Sequence, residues 1–288
     1  MTASPRGARG TSTDNGAAAP ASRTAARASG VRPRPARAEV TLTPHRAAGL
    51  SAATREEIGH FVVRFIDYPR ARLDAALDAA DYVWIGRDET GRLVATTAIR
   101  AIETTLGSRT VTVIYTSMVA VSPDCRRLGL VNRMGFRSYV RERLRAPLRP
   151  VFWLALAASP AGYLQMAHSY ETCWPRRGHA APKEIVALLD DLAVHLKAPR
   201  VERVAGCHRL PDDFGVSDPT QEASRWDHSD PDVDFFLRVN PDYRRGSDLM
   251  CIAPLSIANV VRSFLRSTAR AAARRVHERP FVQPGSAP

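Results

Sequence analysis

The stretch VSPDCRRLGLVNRM, residues 121–134, decides how the chain is read. It follows the most β-branched run of the sequence, RTVTVIYTSMVAV (109–121), which predicts a central strand. Pro123 breaks that strand, two arginines and Gly129 follow, and a helix is expected from about Arg126 to Arg145. Backbone N–H groups at a helix start have no partner inside the helix, and the helix dipole adds partial positive charge there. Such an end binds phosphate. Glycine lets the backbone approach a ligand, and arginine adds a planar, doubly donating cation. Arg126 to Val131 therefore form a candidate phosphate cradle, with a plain structural turn as the competing reading.

Working outward from this corner, AEVTLTP predicts a short strand around residues 39–44. Ser51 is a plausible N-cap for a helix carrying Ile58, Val62, Phe65 and Ile66 at helical spacing, and RARLDAALDAA predicts a second helix. Two strands follow, joined by a hairpin at Asp88–Gly91. Beyond the corner, PVFWLALAA (150–158) is a continuous apolar run and predicts a buried, parallel strand, with a short helix after it. Strand, helix, strand in this order is a crossover unit, whose ligand belongs at the carboxyl end of its first strand. That end is the corner itself. Farther on, PKEIVALLDDLAVHLK predicts an amphipathic helix, residues 211–234 a long acidic loop, DLMCIAPL a strand, and residues 256–277 a last helix.

The run Val121-x-Pro123-x-x-Arg126-Arg127-x-Gly129-Leu130 resembles the acyl-CoA-binding motif of the GNAT acyltransferase superfamily. The order of elements over residues 39–170 resembles that family too. The resemblance implies an α/β (α+β) fold with a mixed, centrally splayed sheet flanked by helices. It implies that Arg126, Arg127, Leu128, Gly129, Leu130 and Val131 wrap the pyrophosphate of acetyl-CoA or another acyl-CoA through backbone amides. Met118, Val119 and Val121 would lie along the pantetheine arm, and N–H groups near Val119 would face the oxyanion. Two departures stand out: Val131 replaces the motif's final small residue, and Tyr115, Thr116 and Ser117 occupy the region where many members carry a glutamate base. Glu103, Ser117 and the helix residue Tyr163 are the candidates left for the catalytic groups, with Tyr170 and His168 near Tyr163.

The chain is expected to divide into a disordered Ala/Arg/Pro-rich tail (1–38), a GNAT-like domain (39–174) and a C-terminal extension (175–288) that builds a lid or the acceptor pocket. Within the extension, Asp227, Asp230, Asp232 and Asp234 are candidates to receive a cationic amine. The formal charge of +12 is almost all arginine. Arg133, Arg137, Arg141 and Arg145 recur every fourth residue, as do Arg262, Arg266, Arg270 and Arg274. Such stripes suit an acidic partner such as acyl carrier protein, or tRNA, or simply lie in water on the back of a docked helix. The four cysteines lack metal-ligand spacing and read as reduced thiols, so no metal is expected. No apolar run is long enough to span a bilayer and no signal peptide is read, which points to the cytoplasm.

The resulting expectation is an acyltransferase moving an acyl group, acetyl first, from an acyl-CoA thioester to a small-molecule or peptide amine. The alternatives are a GNAT-like transferase using acyl carrier protein or aminoacyl-tRNA as donor, or a domain that binds acyl-CoA without turnover.

Overall fold

A computed structural model describes residues 39–211, 226, 228–263, 265 and 266. The expected disordered tail, Asp227, and Arg270 and Arg274 of the second arginine stripe lie outside the described residues. The elements run β1 (Thr41–Arg46), α1 (Ala52–Val62), α2 (Arg70–Ala79), β2 (Tyr82–Arg87), β3 (Leu93–Leu106), β4 (Arg109–Val121), α3 (Leu130–Arg145), β5 (Val151–Ala157) and α4 (Pro160–Ser169). They continue through α5 (Lys183–His195), β6 (Glu202–Val204), β7 (Cys207–Leu210), α6 (Pro231–Val239) and β8 (Asp248–Pro254), and a further helical segment begins at residue 257.

All eight strands form one sheet in the order β1-β2-β3-β4-β5-β8-β7-β6. Strands β1 to β4 are antiparallel neighbours, and β4 and β5 are the parallel pair that the crossover predicts. Residues after 175 extend this sheet, because β8 pairs antiparallel with β5 and carries β7 and β6 beyond it.

Helices cover both faces. On one, α1 and α2 bury Ile58, Phe61, Val62, Leu73 and Leu77 against Val83, Ile85 and Ala98, and α5 buries Leu188, Leu189 and Leu192 against Val111, Val113 and Leu154. On the other, α3, α4 and α6 pack Leu130, Met134, Tyr163 and Phe236 over Trp84, Ile99, Ile114 and Trp153.

The strand-to-helix corner differs from expectation in where its helix begins. Pro123–Leu128 forms a 3-10 turn, Gly129 takes the left-handed conformation (φ 67°), and α3 starts only at Leu130. A left-handed residue cannot continue a right-handed helix, so the turn and the helix stay separate and the first N–H groups of α3 face outward from Gly129. Asp124 ties the turn to the β2–β3 hairpin by an ion pair with Arg92 (2.8 Å), and Ser122 N–H donates to the Val94 carbonyl (2.8 Å).

The predicted acidic loop of residues 211–234 runs four residues too far, since α6 starts at Pro231. Asp230 caps that helix, its carboxylate accepting from Asp232 N–H (2.9 Å). Proline at the first helical position behind an aspartate cap is a helix-start signal that the acidic composition obscured.

Helix α3 is registered on the sheet by a buried polar bond. Trp84 Nε1–H donates to Ser138 Oγ (2.9 Å), which donates to the Met134 carbonyl (2.8 Å), and Ser138 has no exposed surface. Removing the hydroxyl strands the indole N–H, which costs about 1–3 kcal/mol. Ser138→Ala should therefore lower the melting temperature by roughly 2–4 °C per kcal/mol lost. Differential scanning calorimetry checks this, and an unchanged melting temperature would show that the bond does not hold α3.

Candidate active site

Strand β4 carries the geometry of the site. It pairs with β5 from Thr112↔Val151 to Thr116↔Ala155 and no farther, although β4 itself continues to Val121. Trp153 Nε1–H donates to Thr116 Oγ1 (3.0 Å), and that hydroxyl reaches the Leu154 carbonyl (3.4 Å), which fixes the last paired step. Past it, β4 stays bound to β3 alone, through Ser117↔Ala98, Ala120↔Thr96 and Val121↔Ala95. Its other backbone edge faces the opening between the two strands.

A β-bulge sits at the mouth of this opening. Two residues of β4, Met118 and Val119, oppose the single Thr97 of β3, and Met118 takes a positive φ of 51°. Left-handed backbone at a residue other than glycine costs about 1–3 kcal/mol and tends to persist at functional sites. Thr97 Oγ1 donates to the Ser117 carbonyl (3.2 Å), holding the irregularity in place. The bulge also resets the alternation of faces. Tyr115 and Ser117 turn toward α2 and α5, Met118 is buried with α1 and α2 on that same side, and Val121 packs with the α3 side.

On the α3 face, the corner is open and uncapped. Gly129 leaves open space where a Cβ would stand, with no atom within 4 Å, and no side chain caps the start of α3. Val131, the departure from the motif, packs against the core and so does not crowd the helix end. A groove of 280 Å³ runs from Leu128 and Gly129 along α3, past Asn132 and Phe136, to Tyr170 and Val260. Asn132 is hydrogen-bonded to Gln165, which bridges α3 to α4. Arg126 is engaged elsewhere: its Nε–H donates to the Val121 carbonyl (3.3 Å) and its guanidinium lies 5.7 Å from the Phe65 ring centroid. Arg126 is thus oriented by Val121 and Phe65, beside the uncapped backbone amides at the start of α3.

On the opposite face lies a cavity of 460 Å³. Its floor is Tyr115 and Ser117 of β4 and Leu156 of β5, α2 supplies Arg72 and a row of alanines, and Arg100, His195, Lys197 and Asp248 add charge and polarity. Burial pushes the Tyr115 hydroxyl well above its ordinary range, with the nearby Asp248 charge acting in the same direction. The phenol therefore stays protonated at neutral pH.

The three residues proposed for catalysis are not brought together. Ser117 does line the cavity. Glu103 pairs in register with Thr112, at the other end of β4, and is ion-paired with Arg149 (2.5 Å). Its strand position is wrong, because β3 runs antiparallel to β4 and carries Glu103 away from the bulge. Tyr163 has no exposed surface, sits between Phe235 and Phe236 (5.7 and 5.8 Å between centroids), and lines neither the cavity nor the groove. Tyr170 stacks edge-on against Trp153 (5.6 Å) and walls the groove. Sequence reasoning missed Arg100 and Asp248. Arg100 was legible as the cross-strand partner of Tyr115 once the hairpin register was known, whereas Asp248 arrives from a strand more than a hundred residues downstream.

Of the carboxylates proposed for a cationic amine, Asp230, Asp232 and Asp234 fall outside the cavity. His168, Asp230 and Asp232 form a cluster whose donor atoms lie within 4.8 Å of one another. Its members already serve the protein, Asp230 as a cap and Asp232 near His168 (3.5 Å) and Arg177 (3.9 Å).

The first arginine stripe is largely used by its own sheet. Arg137 donates to the Leu42 carbonyl (3.2 Å) over Trp84, Arg141 lies 4.7 Å from the Tyr82 ring centroid, and Arg145 approaches Glu142 (4.0 Å). In the second stripe, Arg262 is ion-paired with Glu171. No helix among the described residues is long and apolar enough to cross a membrane.

With this geometry in view, residues 63–166 match the family model described as an acetyltransferase (GNAT) domain. The matched residues run from the end of α1 to α4 and include the parallel β4–β5 pair. Among solved structures, it resembles an acyl-CoA N-acyltransferase from Pseudomonas aeruginosa at 15% identity over 41% of this chain and 80% of that one, with a TM-score of 0.32. ElaA of Escherichia coli matches at 16% identity over 49% of this chain and 95% of that one, with a TM-score of 0.35. YhbS, a GNAT family N-acetyltransferase of Escherichia coli in complex with CoA, matches at 13% identity over 44% and 67%, with a TM-score of 0.31. No curated protein matches the chain.

The cysteines bear on the type of chemistry. All four are buried, and burial raises the thiol pKa of each, that of Cys207 to about 11. A raised pKa leaves less thiolate at neutral pH, so none is set up as a nucleophile. Native protein at pH 8 should react with Ellman's reagent slowly, and all four thiols should react on unfolding in guanidinium. Fast stoichiometric reaction of one thiol in the native protein would reopen a covalent route.

Proposed function

We propose that the chain is an N-acyltransferase that moves an acyl group, acetyl in the simplest case, from an acyl-CoA thioester directly to an amine. The observation that carries this reading is the divergence of β4 and β5 after Thr116 and Ala155. It separates the uncapped start of α3 on one face from the 460 Å³ cavity on the other.

The residues present fit coenzyme A. The pyrophosphate would lie on the amides of Gly129, Leu130 and Val131, where open space and the helix dipole favour it. The backbone edge of β4 from Ser117 to Ala120, which no strand pairs, would meet the amides of the pantetheine arm. The thioester supplies the activated acyl carbon, and the amine reaches it from the cavity.

The amine nitrogen in its neutral form adds to the thioester carbonyl carbon, forming the C–N bond. The C–S bond breaks, and the sulfur leaves with the electron pair. The proton lost by nitrogen balances the one that converts the thiolate to free thiol. Asp248 is the carboxylate in the cavity wall able to accept the nitrogen's proton, and backbone N–H groups at the bulge face the carbonyl oxygen. Holding two reactants in this arrangement can contribute about 7–11 kcal/mol on its own.

The test joins binding to turnover. Acetyl-CoA at a hundred times its Kd should stabilise the fold by about 2.7 kcal/mol. Gly129→Val, which puts a branched side chain on a left-handed residue at the cradle, should weaken that binding at least tenfold. Thiol release with a panel of amines should follow sequential rather than ping-pong kinetics, and Asp248→Asn should lower kcat by about 10²–10⁴-fold. Absence of any thermal shift with acetyl-CoA, or binding untouched by Gly129→Val, would overturn the placement. Tight binding without product from any amine would favour a non-catalytic acyl-CoA-binding domain.

A further inference from the structure

The acceptor cavity has a charge pattern that a simple amine does not satisfy. Among the described residues its walls hold three basic side chains, Arg72, Arg100 and Lys197, together with His195, and one carboxylate, Asp248. Arginine in such a wall suits a substrate that brings an anionic group as well as a nitrogen. Between the charges the walls are apolar, with Ala75, Ala76 and Ala79 on α2 facing Leu156, Leu196 and Leu210.

The basic groups have a defined position relative to the opening. Arg100 stands directly across from Tyr115 in the β3–β4 register, and Ala98 stands across from Ser117. The Arg100 guanidinium is held by one edge, Nη1 donating to the His195 carbonyl at the end of α5 (3.0 Å). Fixing one edge of a planar fork preorganises the rest for a carboxylate, which arginine binds through paired hydrogen bonds. Asp248 lies to the other side of the opening, on β8. Three interstrand steps separate β3 from β8, roughly 14 Å of backbone. A long arginine and a short aspartate reaching inward leave room for a small molecule whose nitrogen sits at the opening.

We infer that the acceptor is an amine that also bears a carboxylate and an apolar side chain, an amino-acid-type substrate, with its carboxylate held by Arg100 and its nitrogen between Ser117 and Asp248. This inference rests on the acyl-transfer reading for the direction of chemistry. The recognition of the carboxylate stands on the cavity alone.

The experiment uses the full chain. Leucine and phenylalanine are each compared with the matching amide and with the decarboxylated amine as acceptors for acetyl-CoA. In parallel, calorimetry measures binding of N-acetylphenylalanine and N-acetylphenylalaninamide to the unacylated protein. The expected result is at least a tenfold higher kcat/KM for the acids, and at least tenfold tighter binding of the acid product.

In Arg100→Gln the acid-to-amide ratio should fall at least tenfold, and Arg100→Lys should restore part of it. A merely structural loss would lower both members of a pair together and leave the ratio unchanged. Equal turnover of acids and amides, or an unchanged ratio in Arg100→Gln, overturns the inference while acyl transfer stands. If no amine is acylated, the acyl-transfer reading fails, and the binding pair still decides: preference for the acid supports the carboxylate site, and equal binding removes it.

Discussion

The constraint on which the molecule depends is a parallel strand pair that stops early. In a sheet of eight strands, β4 and β5 lie at the centre, where both edges of a strand are normally paired. Here pairing ends at Thr116 and Ala155 while β4 runs on for five more residues. Buried backbone groups need partners, and an unmet one is costly. A ligand that brings its own amides is a natural partner for such an edge, as a strand would be. The bulge at Met118 and Val119 and the clamp of Trp153 on Thr116 place the start of the opening at a defined residue.

From this opening the two faces take different work. The α3 face offers uncapped amides and a left-handed glycine, which suit a phosphate and read no sequence of side chains. The α2 and α5 face offers a mixed cavity with charged groups from β3, α2, the end of α5 and β8. The C-terminal part of the chain therefore shares in the site. Residues His195 to Pro199 form one lip of the cavity, and β8 supplies Asp248 while extending the same sheet.

Much of the fold was legible because its signals are local. The β-branched run before Val121, the proline that ends it and the apolar run at residues 150–158 each announce their element. The corner was legible as a strand-to-helix junction, but not its detail. Gly129 in the left-handed region separates a 3-10 turn from α3, and the sequence alone read one continuous helix. Helix α6 was hidden because its acidic residues look like a solvated loop, although its Asp-Pro start is a cap. The candidate catalytic groups were least legible. Tyr163 matched an expectation of position in the chain but is enclosed by two phenylalanines. Arg100 and Asp248 face one cavity only through strand pairing that spans β3 to β8, and no spacing along the chain encodes that.

The most direct measurement is a crystal structure of the protein with coenzyme A. The account predicts the pyrophosphate within hydrogen-bonding distance of the backbone amides of Gly129, Leu130 and Val131, the pantetheine arm paired along β4 from Ser117 to Ala120, and the thiol at the opening toward Tyr115. A pyrophosphate bound away from Gly129, or a pantetheine arm that does not enter between β4 and β5, would contradict it.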